Sequence, residues 1–168
     1  MIKICKATPD HVEGIAKVCT DANWATYSDI YSNEYIEKVI NDFYTKERIL
    51  KEVTDSSREW GGYFVALDND AVVGAAGGGM ISDTAGELYV LYIDPDRRNE
   101  GIGTQLLHVI STQQKEYGAT EQWVSVQKGN NKGVPFYEAR GFLFQFEQDG
   151  YSTNDGEHYI TLRYKRDI

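Results

Sequence analysis

The sequence has 168 residues and a formal net charge of −9 at pH 7, from 17 basic and 26 acidic side chains. Hydrophobic residues make up 41% and charged residues 26%, which excludes a disordered or collagen-like chain. The length suits one domain, which we predict over residues 1–168. The acidic balance argues against a nucleic-acid partner, because a phosphate backbone requires a basic surface. It is compatible with a cationic substrate such as an amine, or with solubility alone.

The sequence shows no signal for a membrane span, a secretory leader or a metal site. No run of about 18 apolar residues occurs, so neither a membrane span nor a membrane partner is expected. Lys3, Lys6 and Asp10 interrupt the first ten residues, which therefore lack the apolar core of a secretory signal. Cys5 and Cys19 have no metal-ligand spacing, so no metal site and no disulfide scaffold are expected. A cytoplasmic location follows as an expectation.

The first third of the chain predicts one strand and then helices. Ile2–Lys6 alternates apolar and polar residues, as half-buried strands do. Thr8 followed by proline predicts the start of a first helix. Ser32 and Thr45 are the predicted N-caps of a second and a third helix.

An aromatic segment lies between the first two predicted helices. Trp24, Tyr27 and Tyr31 stand there without clear helical periodicity. These rings can simply pack in the core, or they can form one wall of a ligand pocket.

The rest of the chain predicts strands interrupted by helices. Glu87–Asp94 is almost wholly apolar, which indicates a central strand buried on both faces. Strict alternation would place Glu87, Tyr89, Leu91 and Ile93 on one face, unless a bulge breaks the register. The remaining predicted elements are the hairpin of Tyr63–Leu67 and Ala71–Ala76, a helix from Ile102, a strand at Trp123–Val126, a short helix at Pro135–Arg140, and strands at Phe142–Glu147 and His158–Tyr164. This order predicts a mixed α/β sheet with helices on both faces.

The turn after the central strand has the features of an anion site. The first N–H groups of the following helix have no partner within it, and the helix dipole favours negative charge there. Gly101 and Gly103 lack Cβ atoms, so a diphosphate can approach the backbone, and Arg98 adds a cation. A pyrophosphate cradle is therefore predicted, although two glycines alone are weak evidence for it.

Two motifs in this region carry a family resemblance. Arg98-Asn99-Glu100-Gly101-Ile102-Gly103 resembles the Arg/Gln-x-x-Gly-x-Gly/Ala motif of the GNAT superfamily of coenzyme-A-dependent N-acyltransferases. The run from Asn130 to Phe142 resembles that superfamily's Asn-x-x-Ala-x-x-Phe-Tyr-x-x-x-Gly-Phe signature. Gly133 replaces the usual alanine, and Pro135 falls early in the short helix, where proline is tolerated.

The resemblance implies a fold and a co-substrate. The sheet would be mostly antiparallel, with a V-shaped splay between strands four and five that holds acetyl-CoA. Asn130 would lie near the coenzyme. The backbone at Leu91, Tyr92 and Ile93 would pair with pantetheine. The backbone amides of the cradle would bind the pyrophosphate; they belong to Arg98, Asn99, Glu100, Gly101, Ile102, Gly103 and Thr104.

The resemblance also implies a reaction, namely N-acetyl transfer from acetyl-CoA by direct attack of a primary amine in a ternary complex. Tyr137 would give a proton to the departing thiolate. The N–H of Leu91 or Tyr92 would stabilise the oxyanion. Glu87 is a candidate general base, with an exposed strand-end carboxylate as the equal alternative.

The acceptor side is open at this stage. Trp24, Tyr27 and Tyr31 are the candidate acceptor-binding residues, because the resembled fold covers the acceptor end of the cleft with this segment. The acceptor is a small-molecule or peptidyl amine, with polyamines, amino acids or their analogues, aminoglycoside-like drugs and protein N-termini as candidates. A homodimer is compatible with the family. The alternative function is a non-catalytic acyl-CoA-binding sensor or interaction module on the same fold.

Overall fold

One seven-stranded sheet organises the computed structural model, which describes residues 1–151 and 158–168. The strands are β1 (Ile2–Lys6), β2 (Tyr63–Asp68), β3 (Ala71–Met80), β4 (Ala85–Ile93), β5 (Glu121–Gln127), β6 (Leu143–Asp149) and β7 (Ile160–Asp167). Their order across the sheet is β1-β2-β3-β4-β5-β7-β6. The β4–β5 pair is parallel and the other pairs are antiparallel, so the predicted mixed, mostly antiparallel sheet is confirmed.

Five α-helices accompany the sheet in the described ranges. They are α1 (Val12–Tyr27), α2 (Asn33–Phe43), α3 (Lys46–Thr54), α4 (Ile102–Glu116) and α5 (Gly133–Glu138). The side chains of Ser32 and Thr45 each accept a backbone N–H three residues ahead, at 3.2 Å, so both are the N-caps that the sequence predicts. Within the described part of the chain, no helix combines the length and the apolar character that crossing a bilayer requires.

The aromatic segment after the first helix differs from the sequence prediction. α1 continues through Trp24 to Tyr27, so most of that segment is helical. Its apolar periodicity is weak because Asn23 occupies a buried position, where its amide nitrogen donates to the Cys19 carbonyl at 2.7 Å. Only the residues after Tyr27 form the turn that leads to α2.

Helices pack on both faces of the sheet, as predicted. α1 and α3 cover one face, where Ile15, Ile49 and Val65 are fully buried. α4 covers the other face, where Leu106 and Ile110 are fully buried. The sheet is therefore a two-sided core whose middle strands are β3 and β4.

Strand β4 contains a β-bulge close to the point where β4 and β5 part. In the ladder with β3, Leu88 faces Gly78 and Val90 faces Gly77, so Tyr89 is the extra residue of a β-bulge. The parallel ladder with β5 ends at the pair Leu88 and Val124. Beyond that pair, β4 and β5 part, which is the predicted splay between strands four and five. Tyr89 is 47% exposed, so the expectation of a strand buried on both faces is wrong at this point.

Candidate functional site

A cavity of about 190 Å³, the splay cavity, lies where β4 and β5 part. Its walls come from β4 and β5, from α1 above them and from α5 beside them. It brings together eight of the predicted site residues: Tyr27, Leu91, Tyr92, Ile93, Arg98, Gly103, Asn130 and Tyr137. Because the two strands do not pair here, the N–H and C=O groups that point into the gap are open to a ligand that can replace the missing ladder.

A groove of about 550 Å³, the cradle groove, adjoins the splay cavity at the start of α4. All seven residues of the predicted cradle line it: Arg98, Asn99, Glu100, Gly101, Ile102, Gly103 and Thr104. Gly101 caps α4 with a φ of +79°, a conformation that glycine adopts without strain. A Cβ at Gly101 would meet no atom within 4 Å, so the approach to the helix start is open.

Ion pairs hold the loop that carries the cradle. The guanidinium of Arg97 donates to both carboxylate oxygens of Glu100, at 2.7 and 2.9 Å. It also contacts Asp68 at the end of β2, at 2.9 Å. Asp94 accepts the backbone N–H of Asp96 at 2.9 Å and so caps the turn after β4. The loop is therefore preorganised by its own side chains.

The sequence analysis did not assign a site role to Arg140 or Lys132, whose cationic side chains line the cradle groove. Arg140 donates to the Thr104 hydroxyl and to the Phe136 carbonyl, and its guanidinium lies 3.7 Å from the centre of the Phe136 ring. In the ranges that the structure describes, neither cation has a carboxylate partner within 4 Å. The available signal was their place within the second motif.

Tyr137 borders the splay cavity from α5. Its ring lies edge-on against Phe136 and Phe142, and the residue is 9% exposed. Burial raises the pKa of its phenol well above the usual value, so the hydroxyl keeps its proton at neutral pH. A neutral hydroxyl at the wall of a cavity can donate a proton or a hydrogen bond.

Asn130 shapes the entry to α5. Its Oδ1 accepts the backbone N–H of Gly133 at 2.8 Å and that of Lys132 at 3.2 Å. A Cβ on Gly133 would come within 2.7 Å of the Asn130 amide nitrogen. The glycine that departs from the family motif therefore makes room for the Asn130 side chain.

Glu87 forms an ion pair that sequence reasoning missed. Both of its carboxylate oxygens accept from Arg163, at 2.8 and 2.9 Å, and the two side chains are only 13% and 12% exposed. Arg163 also donates to the Ser125 hydroxyl at 2.7 Å, and Ser125 lines the splay cavity. Glu87 itself does not line that cavity. The alternative of an exposed strand-end carboxylate is wrong, because the pairing depends on the order β4-β5-β7, which brings residue 163 beside β5.

A second cavity of about 510 Å³, the aromatic chamber, lies on the face that α1, α2 and α3 cover. Tyr27, Tyr89 and Tyr92 line both it and the splay cavity, so the two spaces adjoin. Ten aromatic residues form its wall: Tyr27, Tyr31, Tyr35, Phe43, Tyr44, Trp60, Tyr63, Tyr89, Tyr92 and Tyr151. Its charged lining residues are Arg48, Glu52 and Glu59, with Arg48 paired to Glu52 at 2.8 Å.

The predicted acceptor residues differ in their relation to this chamber. Tyr27 and Tyr31 line it, and their rings stack with centroids 4.9 Å apart. Trp24 packs against the cluster of Tyr31, Tyr35 and Ile36, and it lines neither the chamber nor the splay cavity. The other tyrosines of the wall were not predicted from the sequence, because they come from α2, β2 and β4 and from the segments that follow α2 and β6.

Burial keeps the tyrosine hydroxyls in the wall of the aromatic chamber protonated and therefore uncharged. Desolvation raises the pKa of Tyr44, Tyr63 and Tyr92 above the usual phenol value, and it does the same for Tyr31. These side chains therefore offer neutral rings and hydroxyls at neutral pH. Among the residues that the structure describes, no group of three or more His, Cys, Asp or Glu is arranged to hold a metal ion.

Comparison with known proteins is consistent with this geometry. A sequence model of the acetyltransferase (GNAT) family matches residues 20–142. The spermidine N(1)-acetyltransferase of Thermoplasma acidophilum is 32% identical over 150 residues, which cover 89% of this chain and 92% of that protein. The PaiA N-acetyltransferase of Thermoplasma acidophilum, solved in complex with coenzyme A, has a TM-score of 0.83 at 27% identity and covers 100% of this chain and 99% of its own. The uncharacterized N-acetyltransferase YuaI of Bacillus subtilis is 30% identical over 146 residues, 83% of this chain and 79% of that protein.

The buried tyrosines predict the alkaline behaviour of the protein. A raised phenol pKa means that the folded state holds protons that the unfolded chain releases above pH ~10. This stability is therefore complete below pH ~10 and is lost as the pH rises further. We expect the free energy of unfolding in urea to fall above that pH, and a fraction of the 12 tyrosines to ionise only on unfolding. Phenolate absorbance that titrates as one population in the folded protein would contradict this.

Proposed function

The chain belongs to the GNAT family of acetyl-CoA-dependent N-acetyltransferases, and on that premise we propose that it acetylates a primary amine of an elongated aliphatic polyamine by direct transfer in a ternary complex. The observation that carries this proposal is the aromatic chamber, which adjoins the splay cavity through Tyr27, Tyr89 and Tyr92. The two spaces would give the coenzyme and the acceptor separate places that meet at β4.

The coenzyme is proposed to bind across the splay cavity and the cradle groove. Pantetheine amides would pair with the open backbone at Leu91, Tyr92 and Ile93, which stands in for the missing ladder. The pyrophosphate would accept the free N–H groups of the cradle at the start of α4. Arg98, Lys132 and Arg140 would add positive charge along the groove.

The polyamine is proposed to occupy the aromatic chamber. Each ring that faces an ammonium group can contribute ~0.5–2 kcal/mol, and the methylene chain can bury against the rest of the wall. The carboxylates of Glu52 and Glu59 add negative charge to the chamber. The similarity to a spermidine N(1)-acetyltransferase supports the same acceptor class.

The proposed chemistry is nucleophilic attack of the neutral amine on the thioester carbonyl carbon. A C–N bond forms, and the carbonyl oxygen of the tetrahedral intermediate accepts an N–H from β4 at Leu91 or Tyr92. The C–S bond then breaks, and Tyr137 gives its phenolic proton to the thiolate. The raised pKa of Tyr137 keeps its phenol protonated at neutral pH, so the hydroxyl can donate a hydrogen bond to the sulfur as negative charge develops there.

Glu87 is the proposed recipient of the amine proton. Its two hydrogen bonds to Arg163 hold the carboxylate in one orientation. Ser125 shares Arg163 with it and lines the splay cavity, so the proton would travel through a water molecule on this side.

A screen of acceptors tests the function and its substrate class. We expect release of free coenzyme A thiol with polyamines and diamines, and a much higher KM for a monoamine of the same chain length. Tyr89→Leu should raise the polyamine KM about 2- to 30-fold, which corresponds to the loss of one cation–π contact. Tyr117→Leu, at a similarly exposed tyrosine that ends α4, is the matched control and should leave KM unchanged. Coenzyme binding without turnover on any amine would support the non-catalytic alternative instead.

Gly101→Val tests the cradle. A β-branched residue at a φ of +79° strains the backbone, and its side chain would project into the open approach to α4. We expect coenzyme A affinity, measured by calorimetry, to fall at least about tenfold as phosphate contacts are lost. Gly118→Val is the matched control, because Gly118 has a φ of +97° at the other end of α4. Equal coenzyme affinity in the two folded variants would rule out the cradle.

Tyr137→Phe tests the proton donor. The ring and its packing against Phe136 and Phe142 are kept, and only the hydroxyl is removed. General acid catalysis contributes roughly 10²–10⁴-fold, so kcat should fall by about that range while coenzyme affinity stays the same. Tyr164→Phe, a buried tyrosine that packs against Phe144 outside both cavities, serves as the control. An unchanged kcat in Tyr137→Phe, with acetyl transfer rate-limiting, would show that Tyr137 is not the acid.

A further inference from the structure

The carbonyl of Glu87 directly precedes Leu88, where the register shift of the β4 bulge begins. It lies only 2.4 Å from the position where a Cβ of Gly78 would stand. The carbonyl therefore projects from the sheet over Gly78, toward the face that α4 covers. A carbonyl that projects in this way needs a hydrogen-bond donor from outside the sheet, because a buried carbonyl without a partner is unfavourable.

Gln114 of α4 supplies that donor. Its Nε2 donates to the Glu87 carbonyl at 2.9 Å, and the residue is 1% exposed. The carboxamide of Gln114 lies against two glycines. A Cβ on Gly78 would be 2.8 Å from its Nε2, and a Cβ on Gly86 would be 2.2 Å from its Oε1. Two glycines in neighbouring strands thus clear the space for one side chain.

A chain of hydrogen bonds orients the Gln114 amide. Arg166 of β7 can only donate, so Gln122 must present its Oε1, which accepts from Arg166 Nε at 3.0 Å. Gln122 is fully buried, and its Nε2 then donates to Gln114 Oε1 at 3.0 Å. This leaves the Nε2 of Gln114 directed at the Glu87 carbonyl. The guanidinium of Arg166 therefore determines the donor direction along the whole chain.

The bulge decides which groups of β4 face each side of the sheet. Leu88 packs in the core under α4, and strict alternation would place Val90 and Tyr92 there as well. Instead, Val90 and Tyr92 pack on the opposite face, while Leu91 and Ile93 pack under α4. A shift of one residue moves each following side chain to the other face of the sheet, and it turns each following backbone N–H toward the other neighbouring strand. The bulge thus determines which amides point into the splay cavity.

We infer that Gln114 is a positioning residue of the acetyl transfer: its carboxamide, oriented by Gln122 and Arg166, holds the Glu87 carbonyl and so maintains the bulge that aims the β4 amides at the thioester. This inference rests on the proposed use of a β4 amide as the oxyanion donor. Gln114 lies behind the sheet and touches no substrate, so its effect on the reaction is transmitted through the β4 backbone.

Two substitutions at residue 114 test the inference. Gln114→Met keeps the length of the side chain but cannot donate, so kcat should fall at least about tenfold, toward the 10²–10³-fold effect of losing an oxyanion donor. The glutamate of Gln114→Glu accepts from Gln122 in either protonation state, but it can donate to the Glu87 carbonyl only when its carboxyl is protonated. Its kcat relative to the wild type should therefore be highest at low pH and fall as the pH rises, whereas the deficit of Gln114→Met should not depend on pH.

Gln113→Met is the matched control. Gln113 is the preceding residue of α4, and its Nε2 also donates to a backbone carbonyl, that of Gly61, at 3.0 Å. Its loss should lower the melting temperature and leave kcat at the wild-type value. Equal kcat losses in Gln113→Met and Gln114→Met at equal losses of melting temperature would reduce Gln114 to a purely stabilising role.

Hydrogen exchange separates the inference from the proposed function. Mass spectrometry on the wild type and the variants reports the protection of the β4 amides whether or not any acceptor turns over. Gln114→Met should speed exchange in residues 88–93, and Gln113→Met should not. Unchanged β4 exchange in a folded Gln114→Met would overturn the inference, and Gln114→Glu at low pH provides a second, donor-competent variant should Gln114→Met not fold. Absence of wild-type turnover would count against the proposed function alone.

Discussion

The parting of β4 and β5 is the constraint on which the rest of the structure depends. A parallel ladder that stops at Leu88 and Val124 leaves backbone groups of both strands without their usual partners in the middle of a buried sheet. Residues of α1 and α5 line this opening and so cover part of it. Backbone groups without partners are unfavourable, and a ligand with its own amides, such as pantetheine, would supply the missing hydrogen bonds. This is the basis of the proposed affinity for the coenzyme.

The strand, turn and helix start that form the proposed cradle could be predicted from the sequence because they are local. A strand, a turn and a helix start follow one another within about a dozen residues, and their physics does not depend on distant parts of the chain. The aromatic chamber could not be predicted, because α1, α2, β2 and β4 each contribute rings to it. The ion pair of Glu87 and Arg163 was hidden for the same reason, since it needs β7 to lie beside β5. The expected pocket role of Trp24 relied on weak periodicity that the buried Asn23 explains.

Charge is unevenly distributed between the two ends of the site, although the whole chain carries −9. The cradle groove is lined by Arg97, Arg98, Lys132 and Arg140, against one carboxylate from Glu100. The aromatic chamber has two carboxylates, Glu52 and Glu59, against Arg48. The net charge of the chain alone gives no indication of this local basic groove. The opposite biases suit an anionic coenzyme at one end and a cationic acceptor at the other.

The bulge at Tyr89 connects these two ends. Because it shifts the alternation of β4 by one residue, Tyr92 turns toward the aromatic chamber while Leu91 and Ile93 turn toward the face of α4. The same shift sets which backbone amides enter the splay cavity between them. A single extra residue thus gives one strand a side that faces the aromatic chamber, a side that faces α4, and an open edge at the splay cavity. Gly78 and Gln114 are the local conditions for that bulge, one by leaving space for the Glu87 carbonyl and the other by donating to it. The course of the β4 backbone at the splay cavity therefore depends on hydrogen bonds made behind the sheet, at residues that contact neither substrate.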